Sequence, residues 1–211
     1  KNDYVQTLAI RYAQNDKLED ALKTFKLIPE YKNELLGNLF TIHIKDCHDC
    51  DHEAKQKVKY TSVSFIEKMI EMKNIAISKP AEAAQNYFLV ANGFYNMTYY
   101  GNARYFYINN VCDYTYYEGV QQPRIEEQCS LALKYYLLAR DNSTDAEFKA
   151  KCTFMAAKCE QNDFFNHKPE NYAGDFKAGK YFAALRKEYA STKYYQEVIK
   201  ECGYFKTYVR R

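Results

Sequence analysis

Residues 4–31 read YVQTLAIRYAQNDKLEDALKTFKLIPEY, and this stretch decides the fold class. Val5, Leu8, Ala9 and Tyr12 recur at helical spacing, which predicts one apolar face of a first helix. After a turn at Asn15–Asp16, Ala21, Phe25 and Ile28 recur in the same way and predict a second helix. Small residues let two such helices approach closely, and the aromatic rings fill the space that remains. Pro29 and Tyr31 close the hairpin.

The same grammar returns further along. In AAQNYFLVANGFYN, residues 83–96, Tyr87, Val90, Ala91 and Phe94 repeat the spacing of the first helix. In CSLALKYYLLAR, residues 129–140, Ala132, Tyr136 and Ala139 repeat the spacing of the second. In KCTFMAAKCEQND, residues 151–163, Cys152, Met155, Ala156 and Cys159 repeat the first again. There Gln161-Asn162-Asp163 matches Gln14-Asn15-Asp16, which predicts a turn at both places. Thr144 and Glu147 have the spacing of a capping box ahead of this third first-type helix, and Pro80 suits the opening turn of the helix carrying Tyr87. In the tail, Tyr181, Leu185 and Tyr189 predict one helix and Tyr195, Ile199 and Cys202 a last one, together a completing or capping element.

These hairpins resemble the tetratricopeptide repeat (TPR) family, whose pattern places a bulky residue, Leu, a small residue and Tyr in the first helix, then Ala, Phe and Ala in the second. The resemblance covers about two thirds of the chain, and only the first hairpin approaches the full pattern. It implies an all-α, TPR-like α-solenoid of antiparallel hairpins over residues 1–211, with two departures. One is a polar insertion at about 43–60. The other is a Tyr-rich insertion at about 97–124, between the helices of the middle unit. Connections longer than about 12–15 residues are usually functional or disordered, and this aromatic content argues against disorder. The aromatic texture of NGFYNMTYYGNAR and KECGYF also resembles TPR proteins of the Bacteroidota cell envelope. That likeness implies a periplasmic or outer-membrane-associated setting and an envelope or secretion assembly.

Composition agrees with helices. With 7 Gly and 4 Pro, the chain has too few turn formers for a sandwich or barrel. At 47% hydrophobic and 27% charged it has the make-up of a globular protein. The net charge is +3 with both signs interspersed, so the concentrated basic footprint of a nucleic-acid binder is missing. No apolar run approaches the ~20 residues that span a bilayer. The chain opens at Lys1 inside a predicted helix, which reads as a fragment of a longer or processed protein.

Candidate chemistry is sparse. Cys47, Cys50 and His52, with His43 or His48, could supply the four ligands of a zinc ion. Structural zinc sites bring two ligand pairs from separate segments, however, and no second pair follows. The same thiols fit a redox dithiol or a short-loop disulfide, and the plain alternative is a solvated polar loop. Zinc is therefore the one cofactor considered and none is expected. Cys152 and Cys159 read as core residues. Without a serine nucleophile elbow or a Gly-rich phosphate loop, no enzyme class has a starting motif. The remaining functional feature is the set Tyr99, Tyr100, Tyr105, Tyr107, Tyr114, Tyr116 and Tyr117. Aromatic rings are enriched at protein interfaces, so this set is expected to divide between packing its own insertion and meeting a protein partner. The expected function is a protein–protein interaction scaffold, one module of a larger complex. A carbohydrate-binding module is the further alternative, since tyrosine faces also stack on sugars.

Overall fold

The computed structural model describes residues 2–29, 36–44, 58–107, 128–167 and 179–210. The described residues are all-α, and the sole extended pairing among them is an isolated antiparallel bridge between Leu36 and Tyr60. The helices are α1 (Asn2–Gln14), α2 (Leu18–Phe25), α3 (Ser62–Ser78), α4 (Pro80–Asn96), α5 (Arg104–Tyr107), α6 (Ser130–Asp141), α7 (Ala146–His167), α8 (Lys180–Glu188), α9 (Lys193–Glu201) and α10 (Gly203–Arg210). Packing follows chain order: α1 on α2, α2 on α3, α3 on α4, α4 on α6 and α6 on α7, with α7 also meeting α8 and α9, and α9 meeting α10.

The first hairpin forms as its pattern predicts. α1 ends in a Schellman motif: Lys17 N–H bonds the Tyr12 carbonyl at 3.0 Å and Asp16 N–H bonds Ala13 at 3.1 Å. Asp16 sits at φ 60, the left-handed position that Asp tolerates better than most side chains. In α2, Leu18, Ala21 and Phe25 are fully buried. In α1 the buried face is turned from the expected one. Ala9, Ile10 and Ala13 point into the core, Val5 and Tyr12 are half-buried, and Leu8 is 48% exposed. Close packing on α2 selects the small alanines for the seam, which leaves the larger Leu8 outside.

α3 starts with a capping box absent from the sequence reading: Thr61 Oγ1 accepts from Ser64 N, and Ser64 Oγ accepts from Thr61 N. A single residue, Lys79, separates it from α4, whose first residue is Pro80. α4 and α6 pack directly on each other although the Tyr-rich segment separates them in sequence. The described start of that segment, residues 97–107, folds back onto the core. Ala103 N–H bonds the Asn96 carbonyl at 2.8 Å, and Phe106 lies against Phe25 and Phe65.

α7 is the spine. Eight consecutive residues, Cys152 to Cys159, are buried, so the helix is enclosed on all sides by its neighbours. Two expectations about it are corrected. The helix runs unbroken through Gln161-Asn162-Asp163, so that tripeptide makes no turn. Asn162 is instead a buried partner of the Tyr95 hydroxyl, and Asp163 accepts from Cys129 N–H, which keeps both inside the packed helix. Nor does Glu147 cap its own helix. Asp145 Oδ1 takes the Glu147 N–H, and the Glu147 carboxylate reaches across to Lys193 N and Tyr194 N at the start of α9. Glu160 does the same for Lys180 N and Tyr181 N at the start of α8. Two carboxylates of one helix thus serve the first N–H groups of two others, where a negative charge is favoured, and a third, Asp163, takes the Cys129 N–H just ahead of α6.

The tail buries Tyr181, Leu185 and Tyr189 as expected. The predicted last helix is broken at Cys202 into α9 and α10, and Phe205 of α10 stacks on Phe182 at 5.3 Å.

Candidate functional site

The loop after α4 presents the aromatic residues. Thr98 Oγ1 donates to the Tyr95 carbonyl, and Asn96 Oδ1 accepts from Asn102 N–H. Gly101 passes so close to the helix end that a Cβ there would lie 2.2 Å from Asn96 Cα. Only glycine fits, and the tight return holds Tyr99 outward at 50% exposure. Tyr99 meets Tyr100 at 5.6 Å and Tyr107 at 5.9 Å, both edge to face. The Tyr100 hydroxyl donates a short hydrogen bond to Asn166 Oδ1 in the last turn of α7. Phe164 and Phe165 stand edge to face in the same part of α7. Rings held at both ends in this way lose little freedom when a partner covers them.

Of the predicted set, Tyr99, Tyr100 and Tyr107 come together. Tyr105 turns inward and packs on Phe25 and Phe106. Tyr114, Tyr116 and Tyr117 lie outside the described residues, as do Cys47, Cys50 and His52 of the metal candidate. Among the described residues no three His, Cys, Asp or Glu side chains gather as metal ligands.

Two polar constellations went unrecognised in the sequence. The first centres on Asp16. Its Oδ1 meets Lys73 Nζ at 2.6 Å, and its Oδ2 takes the Tyr135 hydroxyl at 2.7 Å with Lys134 Nζ at 3.6 Å. Both ammonium groups also lie over the Tyr135 ring, and Phe94 stacks on that ring at 5.2 Å. Burial first, and the Asp16 contact second, push the Tyr135 phenol up, so it stays a donor. The set ties the first turn to α3 and α6.

The second constellation grips a non-helical segment, residues 36–44, by its backbone around a turn at Leu39–Phe40. Asn92 Nδ2 donates to the Phe40 carbonyl at 2.7 Å. Asn96 Nδ2 donates to Leu39 and Thr41 at 2.8 and 2.7 Å, and Lys158 Nζ to His43 at 3.2 Å. Tyr136 steadies Asn92 by donating to its Oδ1 at 2.9 Å. A buried polar group is tolerated only when it is bonded. The asparagines in the apolar run VANGFYN were the one signal that could have revealed this cradle. Asn96 heads the sequon Asn96-Met97-Thr98, and its amide is committed to these carbonyls.

The described residues therefore define an all-α protein whose helices stack in chain order, with an aromatic cluster where α4 and α7 end. No family model, curated protein or solved structure matches the chain. None of its described helices is long and apolar enough to cross a membrane.

Proposed function

We propose that the chain is a protein–protein interaction scaffold, a TPR-like α-solenoid with α9 and α10 as its cap, acting as one module of a larger assembly. The observation that carries this reading is the Tyr99 ring, half-exposed yet braced by Tyr100 and Tyr107. The cradle of Asn92, Asn96 and Lys158 also supports placing the partner at the aromatic end, because residues 36–44 already fill it. The partner docks by aromatic contact, with no covalent chemistry. An envelope or secretion complex is where that partner is sought, on the strength of the family resemblance alone.

The test is a binding titration of the partner captured from the native host, run with wild type and with Tyr99→Ala/Tyr107→Ala. Buried interface tyrosines are worth about 1–2 kcal/mol each, so a loss of at least about tenfold in affinity is expected while the helical circular dichroism is unchanged. Equal affinity in the folded variant removes this surface as the site. Competition by soluble glycans would instead favour carbohydrate binding.

A further inference from the structure

We propose that the outer stripe of α6 is a self-association surface, which receives α6 of a second copy of the chain in antiparallel orientation. α6 packs on α4 and on α7, and it buries Ala132, Tyr135, Tyr136 and Ala139 against them. Its opposite side carries Ser130, Leu133, Lys134, Leu137, Leu138 and Asp141 around an open depression of about 430 Å³. Leu133, Leu137 and Leu138 are half-buried there, so their apolar surface is only partly covered by the described residues. Residues 130, 133, 134 and 137 stand at i, i+3, i+4 and i+7, and so do 134, 137, 138 and 141. Four residues at that spacing form the hole that receives one side chain of a facing helix. The depression is therefore two such holes that share Lys134 and Leu137, and its shape fits a helix.

The charges choose which helix. Lys134 and Asp141 lie two turns apart on the stripe, opposite in sign, with Leu137 and Leu138 between them. A twofold axis passing between those leucines sets each Lys134 opposite Asp141 of the second copy and each Leu137 against Leu138. A parallel pair would bring Lys134 to Lys134 and Asp141 to Asp141, and like charges reject it. The stripe is thus complementary to itself in one orientation. Within one chain both charges are lightly held. Lys134 Nζ stands 3.6 Å from Asp16 Oδ2, and Asp141 pairs at 2.9 Å with its neighbour Arg140. The Lys134 and Asp141 side chains are each more than half exposed. Exposed pairs of this kind contribute little, so either side chain turns to a new partner at small cost. The stripe shares no residue with the aromatic cluster, so a dimer leaves both of its aromatic ends open.

The experiment is sedimentation velocity on the intact chain over a concentration series. α6 has 12 residues and is therefore about 18 Å long. A contact of one such helix belongs with the small, weak interfaces, so the series runs up to about 500 µM. A concentration-dependent monomer–dimer equilibrium is expected. Lys134→Glu and Asp141→Lys should each weaken it at least about tenfold with helical circular dichroism unchanged, because each sets like charges opposite one another. An equimolar mixture of the two variants should form the heterodimer, since both crossed pairs are again opposite in sign. The double variant, with the two charges exchanged, should regain self-association for the same reason. Rescue of this kind cannot come from a damaged chain, so it decides even if Lys134→Glu disturbs the contacts of Asp16. A chain that stays monomeric across the series overturns the proposal and leaves the stripe to an unlike protein or to another part of the same chain. So does a dimer that both single variants keep at full strength, or a mixture that associates no better than either variant alone.

Discussion

Asp16 takes a left-handed backbone position that glycine would occupy more easily, and its carboxylate explains why aspartate stands there. The side chain is the common acceptor for Tyr135, Lys73 and Lys134, drawn from two other helices. Asp16→Ala leaves the Tyr135 hydroxyl without its acceptor and puts a Cβ-bearing residue with no local hydrogen bond at positive φ. A loss of about 2–3 kcal/mol in urea unfolding is expected. Asp16→Gly keeps the turn and loses only the network, so it should cost less than alanine. Equal costs would show that the carboxylate matters and the backbone does not.

At the scale of elements, α7 organises its neighbours through its acids. The two N–H groups of Lys193 and Tyr194 hold the Glu147 carboxyl below its ordinary value of 4.5. A group whose folded pKa is depressed stabilises fully above its unfolded value and loses that contribution as pH falls through the folded one. Glu147→Gln should therefore lower Tm at pH 7, with the gap from wild type narrowing below about pH 4.5 and closing in stronger acid. A gap unchanged down to pH 3 would mean that charge plays no part in capping α9. Asp163 carries the opposite sign. Burial raises its pKa despite the bond from Cys129 N–H, so its share of stability falls as pH rises from 3.8 through the folded value. The two acids on one helix thus answer pH in opposite directions because two N–H bonds dominate at Glu147 and burial dominates at Asp163.

At the scale of the whole molecule, residues 36–44 form a non-helical segment clasped by helices from distant parts of the chain. Asn96 alone serves two carbonyls and one N–H of that architecture. Asn96→Ala strands these buried groups, and a loss of about 2–4 kcal/mol is expected. Hydrogen exchange adds a spatial readout: amides after Leu36 should exchange faster in the variant while those of α7 keep their protection. Uniform acceleration along the chain would indicate that the segment is integral to the spine.

Helices and their buried seams were legible because an apolar face repeats every 3.6 residues wherever the core lies. Leu18, Ala21 and Phe25 follow that rule, whereas Cys152 to Cys159 are buried without a break because neighbours enclose α7 on every side. At the aromatic site, sequence could nominate tyrosines and had no means to separate Tyr99, which faces outward, from Tyr105, which packs on Phe25. Both positions are polar-tipped rings in one segment, and only the close return at Gly101 divides them. The same limit explains the matched tripeptides: Gln14-Asn15-Asp16 turns, while Gln161-Asn162-Asp163 stays helical. Their local propensities are identical, and partners supplied by other helices choose between the outcomes. What the amino-acid order determined by itself was the all-α class and most of its seams, since periodicity is a local property; the seam of α1 turned on its packing against α2. The caps lent by α7, the cradle around residues 36–44 and the seat of Cys129 against Asn162 and Asp163 were decided by tertiary structure, since each joins groups far apart in sequence through contacts that exist only after packing.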